Sequence, residues 1–475
     1  MSNLMKNRNK AFITMLVGCV LASLLQTALS TVLPVMMKEF RITASTAQWL
    51  TSAYSLVMGI MMPATAFLIR RFPTKKLFTA GMVIFLAGII LDAVVPTFSL
   101  ILVGRLLQAA GNGIVLAVVQ IVILTIYPVE KRGQIMGIYG LATVAAPVVA
   151  PMLAGIVVDH TSWRFIFAVA GVIAVAVLIA AQKTVRDYVE NAKERFDIRS
   201  MFLCAIGFTG ILISMGDLGN HAFFSLYVIV PLIIGIVCLI LFSLRQFTDR
   251  PFLRIQLMRN REFRLSVIAS MLLYAITIAS STILPLYVQT MRGFSATVSG
   301  IVILPGSLAL ALMSLFAGRI YDKQGIKKLF IFGSLGIMLS CAALSHLTSG
   351  TSLVYVAVLF TIRALCIGFL MMPLNTWGLS TMDKADYPDG TALLALLRTI
   401  AGAISAAIFV AIMQMAASRY TDKQNITADI SGLNVSFVCL TVVSVLLFVV
   451  AFISLKKEKR NSMGNDVGRT KPLSD

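Results

Sequence analysis

Long apolar runs separated by short polar breaks dominate the chain. They fall at roughly 12–36, 48–69, 77–95, 98–126, 134–158, 163–182, 200–219, 223–244, 265–289, 296–318, 329–347, 352–378, 392–417 and 432–455. About 20 predominantly apolar residues suffice for a helix to cross a bilayer. Fourteen such runs predict an all-α polytopic membrane protein with 14 transmembrane helices. An even number of spans places both termini on one side.

The polar breaks test that count. With fourteen spans, 31 of the 40 Lys and Arg residues fall in breaks on the side of the termini, and six fall on the other side. The remaining three, Arg105, Arg363 and Arg398, lie inside spans. Cytoplasmic loops carry the excess of Lys and Arg, so the split predicts a cell-membrane protein with both ends cytoplasmic. It also accounts for the net charge of +20 without nucleic acid. Lys6, Arg8 and Lys10 before the first run resemble a signal peptide. The run is too long for a signal h-region, so a retained first span is expected.

Composition agrees with this picture. The chain is 58% hydrophobic and 13% charged, against about 25% charged in soluble domains. No polar stretch is long enough for a separate soluble domain. Trp49, Trp163 and Trp377 sit at span ends, as interfacial anchors do. The six cysteines fall in apolar runs without a CxxC and read as small core hydrophobes.

The chain contains a repeat. AFLIRRFPTKKLF (66–78) aligns without gaps on GRIYDKQGIKKLF (318–330), an offset of 252 residues. Parallel repeats about an axis along the membrane normal are a transporter architecture. The expected organisation is a six-helix bundle over 1–182, basic loops and two inserted spans over 183–264, a second six-helix bundle over 265–456, and a tail from 457 to 475.

Charges within spans mark candidate function. Arg105 is the single charge in FSLILVGRLLQAAGNGIVLAVVQIVILTIY (98–127). An intramembrane arginine costs about 2.5–3.5 kcal/mol on insertion scales, so it is a functional-site hypothesis by default; the alternative is that it snorkels to the nearer surface. Spans 3 and 4 form a hairpin near Pro96. At 1.5 Å per residue, Asp92 lies about 6 Å from that turn and Arg105 about 12 Å. Either Asp92 is a solvated span-end carboxylate, or it pairs with Arg105 and is the group that takes up a proton; Asp217 is the second acidic candidate. Arg363, near the middle of span 12, is expected to face a cavity. Arg398 is expected to reach Asp383, Asp386 or Asp389. Asn375 offers a polar contact in span 12. Methionines cluster around Pro63 and Pro373, where flexible thioethers suit either a core or a promiscuous surface.

Several motifs carry a resemblance to a known family. Gly318, Asp322, Lys323, Gly325, Lys327 and Lys328 in GRIYDKQGIKK (318–328) match the cytoplasmic gating-loop signature of the major facilitator superfamily. Glycines permit the tight turn such a loop needs. The first copy departs from the signature, with Arg70 and Pro73 where an Asp and a Gly are expected. Arg105, Gln108, Gly111 and Gly113, with Asn112 between the glycines, resemble the superfamily's fourth-span motif. GIYGLATVAAPVVAPMLAG (137–155), with Gly140, Pro147, Pro151 and Gly155, resembles its antiporter motif, partly rewritten in alanine; plain helix packing is the alternative for each small residue. QTALSTVLP (26–34), AQWLTSAYSL (47–56) and DGTALLALLRTIAGAISAAIF (389–409) resemble the fourteen-span drug:proton antiporter-2 family, and within it the EmrB/QacA-like and lincomycin-resistance LmrB-like exporters.

The resemblance implies a secondary active exporter of small amphipathic, drug-like molecules, with protons as coupling ion and the bilayer as its setting. Uptake or facilitated transport of a metabolite is the alternative. The family's span-1 acid is replaced here by Gln26. Three arginines and no deep acid favour neutral, zwitterionic or weakly anionic cargo. No metal spacing, cofactor motif or GxxxxGK[ST] loop is present. No clustered catalytic constellation appears, so an enzyme is not expected.

Overall fold

The computed structural model describes residues 2–127, 129–188, 197–218, 224–247, 253–382, 386–418 and 426–467. Among them are fourteen long helices and no strand. They are α1 (Ser2–Phe40), α2 (Ala44–Arg71), α3 (Thr74–Val94), α4 (Phe98–Ile126), α5 (Val129–His160), α6 (Trp163–Thr184), α7 (Ile198–Asp217) and α8 (Leu226–Arg245). There follow α9 (Arg261–Pro285), extended by a π turn to Met291, then α10 (Ala296–Gly318), α11 (Gly325–Leu344), α12 (Leu353–Ser380), α13 (Tyr387–Ala417) and α14 (Ile426–Val467). Each predicted span falls on its own helix in order.

Local chemistry sets the boundaries. Side chains of Thr43, Ser162, Asp197, Ser225, Asn260, Ser295 and Ser352 accept a backbone N–H at the starts of α2, α6, α7, α8, α9, α10 and α12. Such caps satisfy donors that no helix can pair internally. Between α10 and α11 the chain bends at Gly325, where φ is +68° and ψ is −178°. That conformation is essentially restricted to glycine. Gly318, seven residues earlier in the same signature, has open space where a Cβ would stand, so sterics give no reason for glycine there. Asp322, Lys323 and Gly140 lie outside the residues whose side chains are described.

The buried side chains fall into clusters. Met15, Phe78, Phe85 and Trp163 belong to one buried cluster built from α1–α6. Tyr287, Phe330 and Phe437 belong to another built mainly from the later helices. A third cluster, including Leu56, Leu212, Phe263 and Ile400, joins α2, α7, α9 and α13. The inserted pair therefore seats through α7 at the junction of the halves. Much of α8 stays uncovered, with Leu226, Ile233, Ile240 and Leu244 exposed, as a lipid-facing helix requires.

Besides the packing of α2 on α13, polar ties join the halves on the face opposite the basic loops. Gln289 donates to the Thr31 carbonyl (2.9 Å). The Asp159 carboxylate accepts from the backbone N–H groups of Ala296 (3.2 Å) and Thr297 (2.7 Å), so α5 caps α10 across the boundary. Gly155 and Gly300 permit that approach: a Cβ on Gly155 would lie 2.5 Å from the Ala296 carbonyl, and one on Gly300 2.8 Å from that of Pro151. Pro147 is half-buried and Pro151 fully buried on the same helix.

The tryptophans correct one expectation. Trp163 is 2% exposed. Its ring packs edge-on against Phe167, and its Nε1 donates to Glu39, which also pairs with Arg164. Its ring is part of the core, while its N–H is satisfied by the exposed Glu39 carboxylate at the span end.

Candidate functional site

The third and fourth helices bring the charged centre together through glycine. Gly81 and Gly88 on α3 lie seven residues apart, as do Gly104 and Gly111 on α4. A Cβ on Gly111 would stand 2.5 Å from the Gly81 carbonyl, and one on Gly88 would overlap the Gly104 carbonyl. A Cβ on Gly104 would collide with the Asp92 carboxylate. The second motif glycine, Gly113, faces the other way and lets α2 approach, with Met61 Cβ 2.7 Å from where its own Cβ would be. Each glycine of the fourth-span motif thus serves a different neighbour. The seven-residue spacing on both helices was the available signal for this pairing.

Arg105, Gln108 and Asn112 follow one another at helical spacing on α4 and are all fully buried. Arg105 Nη1 donates to Gln108 Oε1 (2.8 Å) and to the Leu25 carbonyl of α1 (3.4 Å); Nε donates to the Leu50 carbonyl of α2 (3.5 Å). Its guanidinium carbon lies 4.1 Å from the centroid of the Tyr54 ring, a cation–π distance. Gln108 Nε2 then donates to Asp92 Oδ2 (2.7 Å). Asn112 Nδ2 donates to the Tyr54 hydroxyl (2.8 Å). Arg105 is held from four sides and does not reach a membrane surface.

Asp92 is fully buried as well, not solvated at a span end. It and Arg105 are joined through Gln108, with no direct ion pair between them within 4.0 Å. Two atoms of the cluster, Asp92 Oδ1 and Arg105 Nη2, are buried without a hydrogen-bond partner. Buried unpaired groups of this kind are rare and each calls for a reason. Gln26 is half-buried on α1 beside Leu25 and makes no hydrogen bond to the cluster. Asp217 ends α7 elsewhere, where Ser45 donates to the Gly216 carbonyl (2.8 Å) and the Trp49 ring covers Gly216.

The later arginines are placed differently. Arg363 is 1% exposed on α12, 4.6 Å from the Phe360 ring centroid, with Nε and Nη1 unpartnered. It is sealed within its bundle and does not line an open cavity. Four, eight and twelve residues further along α12, Ile367, Met371 and Asn375 line a narrow cleft of about 10 Å³, room for about one water. Arg398 of α13 and Ser270 and Tyr274 of α9 face them across it. The expected pairing of Arg398 with inner-loop acids is not what the structure shows. Asp386 and Asp389 are taken by Arg254 (2.9 and 3.2 Å), and Asp383 lies outside the described residues. Arg398 instead sits 5.6 Å from the Tyr274 ring centroid. Among the described residues no group of three or more metal-ligating side chains comes together.

This architecture and these motifs define a transporter class. A model of the Major Facilitator Superfamily matches residues 15–406, and the chain belongs to that family. It is 36% identical over 455 residues to the MFS-type transporter YcnB of Bacillus subtilis (strain 168), covering 96% of each. It is 34% identical over 438 residues to the lincomycin resistance protein LmrB of the same organism, covering 90% of this chain and 91% of that one. The riboflavin transporter RibZ of Clostridioides difficile (strain 630) is 26% identical over 412 residues, with 85% and 88% covered. Among solved structures, a peptide transporter POT in complex with sulfate superposes with a TM-score of 0.68 over 93% of this chain and 94% of that one, at 18% identity. The protein is a multi-span membrane transporter of small molecules, not an enzyme.

Proposed function

We propose that the protein is a secondary active exporter of small amphipathic, drug-like molecules, working by alternating access in exchange for protons. Its setting is the cell membrane, with both termini cytoplasmic, and its moving parts are the six-helix bundles over 1–182 and 265–456. The observation that carries the reading is the buried Asp92–Gln108–Arg105 relay. The likeness to lincomycin resistance proteins supports the cargo class.

In this mechanism Asp92 is the proton carrier and Gln108 transmits its charge state. The ionised carboxylate holds the Gln108 amide, which presents its oxygen to Arg105. Protonation removes the negative charge that Arg105 senses. An arginine buried without that compensation is costly, so the bundle is biased toward the arrangement that rehydrates it. The ties at Thr31–Gln289 and Asp159–Ala296 belong to the state closed on the face opposite the basic loops. Opening that face breaks them.

The likeness to a riboflavin transporter favours metabolite transport as the second reading. Everted membrane vesicles separate the two. Under an imposed inside-acid gradient, the exporter accumulates a drug-like substrate in everted vesicles above vector controls. Riboflavin-like flux that ignores the pH gradient, with no drug accumulation, rejects the exporter reading.

A further inference from the structure

We propose that Asp159 and Gln414 are a repeat-related pair of positioning residues that hold the face opposite the basic loops closed. The inference rests on the alternating-access reading above and identifies what sets its resting state. The starts of α2 and α10 are equivalent in the repeat. Thr43, Ala44, Ser45 and Thr46 stand 252 residues before Ser295, Ala296, Thr297 and Val298, the same offset as the two loop copies. At each start the residue before the helix caps the third helical N–H from within its own half. Thr43 accepts from Thr46 (3.2 Å) and Ser295 from Val298 (3.3 Å). The first two N–H groups go to the other half. On α10, Asp159 at the end of α5 accepts both, from Ala296 and Thr297. On α2, Gln414 near the end of α13 does the same: with its amide oxygen toward α2, it stands 3.2 Å from the backbone nitrogens of Ala44 and Ser45. Asp159 and Gln414 are 255 residues apart, within one helical turn of the repeat offset.

The first N–H groups of a helix have no partner within it and must find one outside. Here the outside partners belong to the opposite half. Both helix starts are therefore fully capped only while α2 meets α13 and α5 meets α10, and parting the halves on this face gives both caps up. The two latches differ in charge. Asp159 is exposed, so its carboxylate is ionised at neutral pH, and an anion at a helix N-terminus gains from the helix dipole. Gln414 is neutral. On the α2 side the inserted helix adds a tie at the same turn, where the Ser45 hydroxyl donates to the Gly216 carbonyl of α7. The α5–α10 latch is thus the one that depends on charge, and a carboxylate placed at 414 should stand in for the one at 159.

Double electron–electron resonance between spin-labelled unnatural residues at Thr97 and Ser349 tests this. Both positions are exposed, in the α3–α4 and α11–α12 turns on this face, and they are themselves 252 residues apart. The full chain is measured in nanodiscs at pH 7 without substrate or gradient, where the short distance of the closed face dominates in the parent. D159N keeps an acceptor but loses the charge, and the long-distance fraction is expected to rise about threefold. D159A and Q414A lose the acceptor as well and should raise it at least as much. Q414E added to D159N returns the fraction toward the parent's. S352A removes a cap that α12 uses within its own half; it should lower the thermal transition and leave the fraction unchanged. A fraction unchanged in both D159N and D159A overturns the proposal. So does a D159N/Q414E protein no more closed than D159N, or an S352A protein as open as D159A, since general loosening would then explain the shift. Distances are read without flux. Failed drug accumulation in vesicles with these shifts intact rejects the exporter reading alone, and the reverse rejects the latch alone.

Discussion

Two arginines at comparable depth in the two halves are treated in opposite ways. Arg105 in the first half is surrounded by two backbone carbonyls, a glutamine and a tyrosine ring, and is linked through that glutamine to a carboxylate. Arg363 in the second half has a phenylalanine ring and two unpartnered nitrogens, and Arg398 nearby has a tyrosine ring and a narrow cleft. Among the described residues, no carboxylate lies within ion-pair distance of either. In the sequence all three look alike, as lone charges in apolar runs. Their surroundings separate them: the first half links its charge to a carboxylate through a glutamine, and the second leaves buried guanidinium nitrogens without a partner. On the reading proposed here, the first half handles the proton.

The largest effect expected from breaking this contrast is at Arg105. Removing one partner of a buried charged network costs about 3–5 kcal/mol because the other is stranded. On the exporter reading, R105A should abolish accumulation of a drug-like substrate in everted vesicles and lower the thermal transition of the purified protein. Accumulation equal to the parent's would remove Arg105 from the mechanism.

Glycine sharpens the comparison next. In G104A the methyl group meets the Asp92 carboxylate and the Gly88 carbonyl, and overpacking of this kind costs about 1–3 kcal/mol. G325A forces alanine into a glycine-only conformation, at a similar cost of about 1–3 kcal/mol. G318A meets nothing within 4 Å and should fall within about 0.5 kcal/mol of the parent. Thermal unfolding of the three variants in one detergent gives the order directly. A G318A protein as unstable as G104A would contradict the packing described.

The helices were legible because hydrophobic length and Lys/Arg asymmetry are summed over many residues, so local errors cancel. Arg105, Gln108 and Asn112 were legible as a spaced motif. The burial of Asp92 was not, because its depth depends on how closely α3 approaches α4. That approach is written in Gly81, Gly88, Gly104 and Gly111, a pattern that becomes meaningful only once the two helices are paired. Arg398 was misassigned for a different reason. Proximity along one helix favoured Asp386 and Asp389, but Arg254, which follows α8, outcompetes it for both. Long-range competition of that sort leaves no mark on spacing. Trp163 was misread because a span-end tryptophan looks the same whether its N–H meets water or Glu39.

A small, pH-dependent effect is expected at the start of the inserted pair. Partial burial pushes the Asp197 carboxyl up, but hydrogen bonds from Ser200 and the Arg245 charge outweigh it and hold it below the usual carboxylate range. A depressed value stabilises the folded state above the unfolded carboxylate value of about 3.9, and that stability is lost as pH falls through the folded value. D197N should therefore reduce stability slightly at pH 7 and make progressively less difference as pH falls through the folded value. Arg245 is 41% exposed, so the effect is that of a surface pair, under about 1 kcal/mol. A loss that persists unchanged at low pH would assign Asp197 a role other than its charge.

The central claim is that Asp92 couples a proton to Arg105 through Gln108, and D92N in proteoliposomes tests it most directly. Substrate counterflow without a gradient and substrate flux under an imposed pH gradient are measured on the same preparation. Asparagine keeps an oxygen for Gln108 to donate to but cannot titrate. The account predicts that D92N retains counterflow and loses its response to the gradient. A D92N protein that drives substrate with the pH gradient as the parent does would contradict it.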